Sequence, residues 1–148
     1  MSTEVIGVEL EGVAELRRVL RGMSAEAQEQ AVKAAAMAGA EPIRAAAAAN
    51  APVLKAPDPR RRAGNLKSKV TSWLSSLKPG AATVQVGINR RDLRVGVLAA
   101  FYAPWVEFGT KFMAAIPFLR QAFDAHYQEA GRRSIQVFED FLAKWGAE

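Results

Sequence analysis

AVKAAAMAGAEPIRAAAAANA, residues 31–51, is the stretch on which the architecture turns. Twelve of these 21 residues are alanine, the best intrinsic helix former, so the segment predicts a long helix. An alanine-rich face also lets another backbone approach closely. Two partners satisfy that face: a second helix of the same subunit, or a neighbouring subunit. Gly39 and Pro42 interrupt the run. Proline removes one backbone donor and clashes with the preceding turn, which predicts a kink. Ser24 has N-cap chemistry, and Glu26 and Glu29 suit the positive end of the helix dipole. Asn50-Ala51-Pro52 ends the helix, because a residue before proline avoids the α region.

Working towards the N-terminus, Ile6, Val8 and Leu10 alternate with Val5, Gly7 and Glu9, a period of two that predicts a strand over Thr3–Leu10. After Gly12, Val13, Leu16 and Leu20 take helical spacing, and Gly22 ends that helix. Working towards the C-terminus, residues 66–77 are ambiguous. Leu66, Val70, Trp73 and Leu77 are spaced as in a helix, whereas Val70, Thr71 and Trp73 favour a strand and precede a Lys78-Pro79-Gly80 turn. Thr83–Ile88 alternates clearly and needs a partner, so the reading is a short turn of helix followed by a strand. Asn89–Asp92 forms another turn, and Val95–Ala100 is expected as a third strand of the meander.

Leu119, Phe123, Tyr127, Ala130, Ser134, Phe138, Phe141 and Trp145 recur at intervals of three or four, which predicts a C-terminal helix whose apolar stripe packs against the sheet. The expected fold class is α+β: a small antiparallel sheet of three to four strands packed by a long kinked helix and a C-terminal helix. One domain, 1–148, is expected, since a chain of this length buries roughly 70% of the surface its unfolded form exposes.

Hydrophobic residues make up 50% and charged residues 24%, a balance that indicates neither disorder nor a membrane protein. No apolar run approaches the roughly 20 residues that cross a bilayer. MSTEVIGVELEG at the N-terminus is acidic and lacks the apolar core of a signal peptide, so synthesis in a cytoplasm is expected. Without cysteine there is no disulfide framework, thiol nucleophile or cysteine metal site.

Catalytic chemistry finds little support. His126 is the sole histidine, which rules out a multi-histidine metal site and reads as a half-buried packing residue. The serines of SWLSS (Ser72–Ser76) lie in no GxSxG elbow. Gly80, Gly87, Gly96 and Gly109 form neither a P-loop nor a dinucleotide fingerprint. Glu9, Glu11, Glu139 and Asp140 fall on a strand end and a helix exterior rather than facing one another across a cleft. No enzyme, cofactor or metal is expected.

Aromatic residues gather instead in YAPWVEFGTKFMAAIPFLRQAFD, Tyr102–Asp124. Pro104 fits the first turn of a short helix, with Trp105 and Phe108 one turn apart on one face. Gly109 stops that helix in a position that requires positive φ, and Pro117 opens the next. Aromatics around a turn, with no reactive groups among them, suggest assembly. The candidate interface is Tyr102, Trp105, Glu107, Phe108, Gly109, Phe112 and Phe118. Glu107 is a carboxylate in an apolar setting. It reads either as an internal salt bridge or a hydrogen bond to the turn at Gly109, or as an ion pair to a neighbouring subunit that fixes register more than it adds affinity.

Lys55, Arg60, Arg61, Arg62, Lys67 and Lys69 face only Asp58 in their stretch, an excess of +5 that equals the net charge of the whole chain. So local an excess argues against general nucleic-acid coating and for one basic contact. Its prolines make 52–64 an extended, mobile loop by expectation. It reads as a solvated surface, or as a contact to an acidic protein or to DNA phosphates. No aromatic lies between Lys55 and Lys69, so the stacking platform of a single-strand binder is missing there.

Tyr102, VEFGT (Val106–Thr110), and PFLR with AFD (Pro117–Asp124) resemble the tail-component family of long-tailed bacteriophages. A looser match runs from Asn50-Ala51-Pro52-Val53 to Gly64-Asn65-Leu66; it departs from the family's usual form at Ala63 and in a longer, more basic insert. Through these landmarks the resemblance spans nearly the whole chain. It implies a structural virion protein at the neck, made in the host cytoplasm. The implied assembly is a ring of this chain, six-fold by expectation, between a head connector or stopper protein and a tail-tube or tail-terminator protein. Packaged double-stranded DNA passes through it. A tail terminator or minor tail subunit is the near alternative. A small nucleic-acid-binding module using the basic loop is the alternative of another class.

Overall fold

The computed structural model describes residues 13–53, 55, 58–59, 62–89 and 100–146. Helix α1 spans Val13–Gly22 and α2 spans Ala25–Asn50. Ser24 caps α2, its Oγ accepting from the Ala27 N–H at 3.2 Å. The helix runs as one element through Pro42 to Ala51, where the backbone turns extended. Glu41 and Arg44 pair across Pro42, Arg44 Nε donating to Glu41 Oε2 at 2.8 Å. That hydrogen bond holds the Glu41 carboxyl below its ordinary value.

The ambiguous stretch resolves as a short helix and then a strand: α3 at Asn65–Lys69, β1 at Val70–Lys78. β2, Ala81–Ile88, pairs antiparallel with β1 from Lys78↔Ala81 to Val70↔Ile88, with an irregularity between Leu74 and Ser76. Pro79 and Gly80 make the connecting turn, Gly80 at φ 73°. Ala82, Val84, Val86 and Ile88 are half-buried while Ala81, Thr83 and Gln85 are exposed, the alternation of a sheet with one covered face.

Among the described residues the sheet has these two strands, fewer than the three to four expected. The predicted strand at Thr3–Leu10 and most of that at Val95–Ala100 lie outside the described residues; Ala100 itself is buried and in no strand. α2 packs on both strands, so a two-stranded ribbon already has the partner that hairpins require.

The remaining helices are α4, Ala103–Phe108, and α5, Phe118–Gly146. α5 lies antiparallel along α2. Phe138, Phe141 and Leu142 near its end pack on Met23, Ala27 and Ala31. Phe118 and Ala122 at its start share a core with Ala47 and Ala51. Midway, a Cβ on Gly39 would stand 1.9 Å from Ser134 Oγ and 2.8 Å from the Ala130 carbonyl oxygen. Alanines and one glycine thus form the intramolecular helix pair. α5 meets the sheet near its start, where Leu119 Cδ1 would lie 4.0 Å from a Cβ at Gly87. The main core sits where the end of α2, α3, the start of β1, α4 and the start of α5 converge on Leu66 and Phe118.

Candidate assembly surface

Pro104 stands in the first turn of α4, and Gly109 ends the helix at φ 74° with its N–H donating to the Trp105 carbonyl at 2.8 Å. Both match the sequence reading. A side chain at Gly109 has no room either, since a Cβ would meet Ala115 N at 2.8 Å and Met113 O at 2.9 Å. The chain then doubles back. Thr110 N–H donates to Met113 O at 2.9 Å, Met113 N–H to Thr110 O at 3.2 Å, and Phe112 N–H to Thr110 Oγ1 at 3.2 Å. Ile116 N–H closes on Val106 O at 2.7 Å. These bonds and a filled space behind Gly109 make this loop a fixed bracket. Its tip is Lys111-Phe112, with the Lys111 ammonium 4.7 Å from the centre of the Phe112 ring.

Glu107 is buried, at 8% exposure, and neither sequence reading identifies its partner. Its Oε2 accepts from Leu119 N–H and its Oε1 from Arg120 N–H, each at 3.0 Å. A helix begins with four N–H groups that have no intrahelical partner. In α5, Phe118 N–H finds Ile116 O at 2.8 Å, Leu119 and Arg120 find Glu107, and Gln121 finds Pro117 O at 3.0 Å. Pro117 carries no side-chain acceptor, so a carboxylate from the preceding helix supplies the cap. A negative charge there also suits the helix dipole. Glu107 therefore locks α4 to α5.

The seven candidate interface residues divide by burial. Phe118 is fully enclosed at 0% and belongs to the core, Glu107 is buried, and Tyr102 and Gly109 are half-buried. Trp105 is half-exposed, Phe108 is 81% and Phe112 89% exposed. Phe101 joins them, edge-on to Trp105 with ring centres 5.7 Å apart. Its position just before the quoted aromatic stretch concealed it.

Beside this surface lies a cleft of about 870 Å³. It is lined by Ala36, Gly39 and Ala40 of α2 and by Val84, Val86 and Ile88 of β2. Pro104, Phe108 and Phe123 also line it, with Glu107, Arg120 and Asp124 as its charged groups. Phe123, placed by its spacing in the packed stripe, is instead exposed and stacks with Tyr127 at 6.1 Å. The small residues at 36, 39 and 40 are the sequence signal for this lining; their spacing is that of one helix face.

The basic residues are apart from the cleft lining. Lys55, Arg62 and Lys67 are exposed and Lys69 is half-buried, while Arg60 and Arg61 lie outside the described residues. His126 Nδ1 is 2.9 Å from Glu129 Oε2 on its own helix, a local surface pair. Among the described residues no group of His, Cys, Asp or Glu is arranged to hold a metal, and no helix is long and apolar enough to cross a membrane.

No curated protein and no solved structure matches the chain. Residues 14–109, more than half of the chain and including the VEFG of the α4 turn, match the family model described as "Bacteriophage HK97-gp10, putative tail-component". The chain belongs to this family of bacteriophage tail components.

Proposed function

We propose that the protein is a tail-completion subunit at the phage neck, joining the head connector to the tail by closing a ring of its own copies around the DNA channel. It acts by shape-complementary docking and performs no covalent chemistry. The observation that carries this reading is the ordered, solvent-facing bracket of Phe108 and Phe112 beside an apolar cleft, in a chain of a tail-component family. Exposed apolar patches of this kind mark interaction sites. Two different patches on one subunit make a heterologous contact, which closes into a ring when the rotation between copies permits. The excess of positive charge at 55–69 suits either packaged DNA or an acidic neighbour in the joint.

Electron microscopy of assembled particles tests the proposal. The expected map has a ring of this chain between connector and tail tube; a neck with no copies of it sinks the reading. A position capping the head-proximal end of the tail tube, below a separate neck ring, would favour a terminator instead.

A further inference from the structure

We infer that the cleft between α2, β2, α4 and α5 is the receptor for the Lys111-Phe112 tip of a second copy of this chain; the inference rests on the ring reading above and specifies its contact. Three observations favour a copy of the chain as the occupant.

The tip is built to be presented. An 89% exposed phenylalanine, touched by the Lys111 ammonium and carried on a loop held by four hydrogen bonds, has already lost freedom that docking would otherwise cost. A flexible loop would fold its ring onto the nearest apolar surface.

The cleft is built to receive rings. Its lining joins the small residues Ala36, Gly39 and Ala40 of α2 to aliphatic and aromatic side chains of β2, α4 and α5. At about 870 Å³ it falls within the range of roughly 300–1,000 Å³ typical of sites that enclose a ligand. It has room for Phe112 with its neighbour Met113.

Charge gives the contact a direction. Lys111 flanks the tip, and the charged groups of the cleft are Glu107, Asp124 and Arg120. Glu107 is committed to the N–H groups of α5. Asp124 is exposed and its contact with Arg120 is long, at 3.9 Å, so it is the group to which an incoming Lys111 pairs. That pairing fixes which way the tip enters more than it adds affinity. Tip and cleft are different patches of one surface, as a head-to-tail ring contact requires.

The absence of native cysteine makes the contact directly testable. The full chain carrying both Lys111→Cys and Asp124→Cys, expressed with the other virion proteins so that particles assemble, is oxidised and run without reductant. A ladder of disulfide-linked oligomers is expected, with nothing beyond dimers for either single variant. Particles that contain the chain but yield only monomer, or a disulfide within one chain, overturn this contact while leaving the ring intact. Particles that lack the chain overturn the ring and the contact together.

A second arm uses Phe112→Ser. Burial of a phenylalanine implies an association between copies weakened about ten- to hundredfold, read as loss of the chain from particles, with thermal stability unchanged. Normal incorporation of the variant overturns the inference.

Discussion

Gly109 and Glu107, two positions apart, were legible to very different degrees. Gly109 announced itself because a short helix that opens at Pro104 must stop, and glycine enters the positive-φ region without strain. The structure adds a second constraint, the Ala115 and Met113 backbone packed where a Cβ would go. Gly109→Val therefore suffers twice and should cost more than the roughly 1 kcal/mol of a typical substitution. A chemical denaturation series checks this, and a loss under that figure refutes it. Glu107 was conspicuous as a carboxylate among apolar residues, yet its partners are backbone N–H groups 12 and 13 residues on, which no side-chain pattern reveals. Glu107→Gln keeps the shape but loses charge-assisted bonding at a helix start. It should destabilise by about 1–3 kcal/mol, visible as a lowered melting temperature. Exposed Phe112 has no such fold role, so the two substitutions should separate stability from assembly.

At the scale of elements the sequence spoke clearly wherever local chemistry decides. The Ser24 cap, the stop before Pro52 and the alternation of β2 are all present, whereas the ambiguous 66–77 stretch has its boundary between α3 and β1 at Val70 only in the structure. What local chemistry leaves open is partner choice. The alanine-rich face suited a helix of the same subunit or of another, and the answer lies in the antiparallel crossing of α2 and α5. There Gly39 is needed for close approach, not as a helix breaker. Gly39→Ala improves intrinsic helix propensity by about 1 kcal/mol. Yet its methyl group would collide with the Ala130 carbonyl, a backbone atom that cannot swing aside. The helices must separate, so the variant should be less stable by about 1–3 kcal/mol despite the propensity gain. A variant as stable as the parent would mean the crossing yields freely. The stripe on α5 shows the same limit: its spacing is that of a helix, but only the structure tells that Phe123 and Tyr127, within the span of the α2 contact, are exposed to solvent.

For the whole molecule, the uneven charge is the property that sequence displays best and the fold explains least. Five net positive charges lie between Lys55 and Lys69, leading into α3. Its start is fixed by Arg62 O, which accepts from Asn65 N–H at 3.1 Å, and by Gly64 at φ 73°. The Arg62 side chain is exposed, so it contributes charge without packing. Neutralising Arg60, Arg61 and Arg62 to glutamine should leave stability within about 0.5 kcal/mol of the parent, as for surface changes generally. Its consequence belongs to the particle. If the loop faces the DNA channel, packaged DNA is retained or passed less well, and the defect grows with salt because phosphate contacts are screened. If it docks on an acidic neighbour, filled heads and finished tails accumulate unjoined. Counting DNA-filled heads and joined particles separately for the triple variant tells the two apart. Parental values in both counts would reduce the loop to a solvated surface and leave the aromatic bracket and its cleft to carry assembly alone.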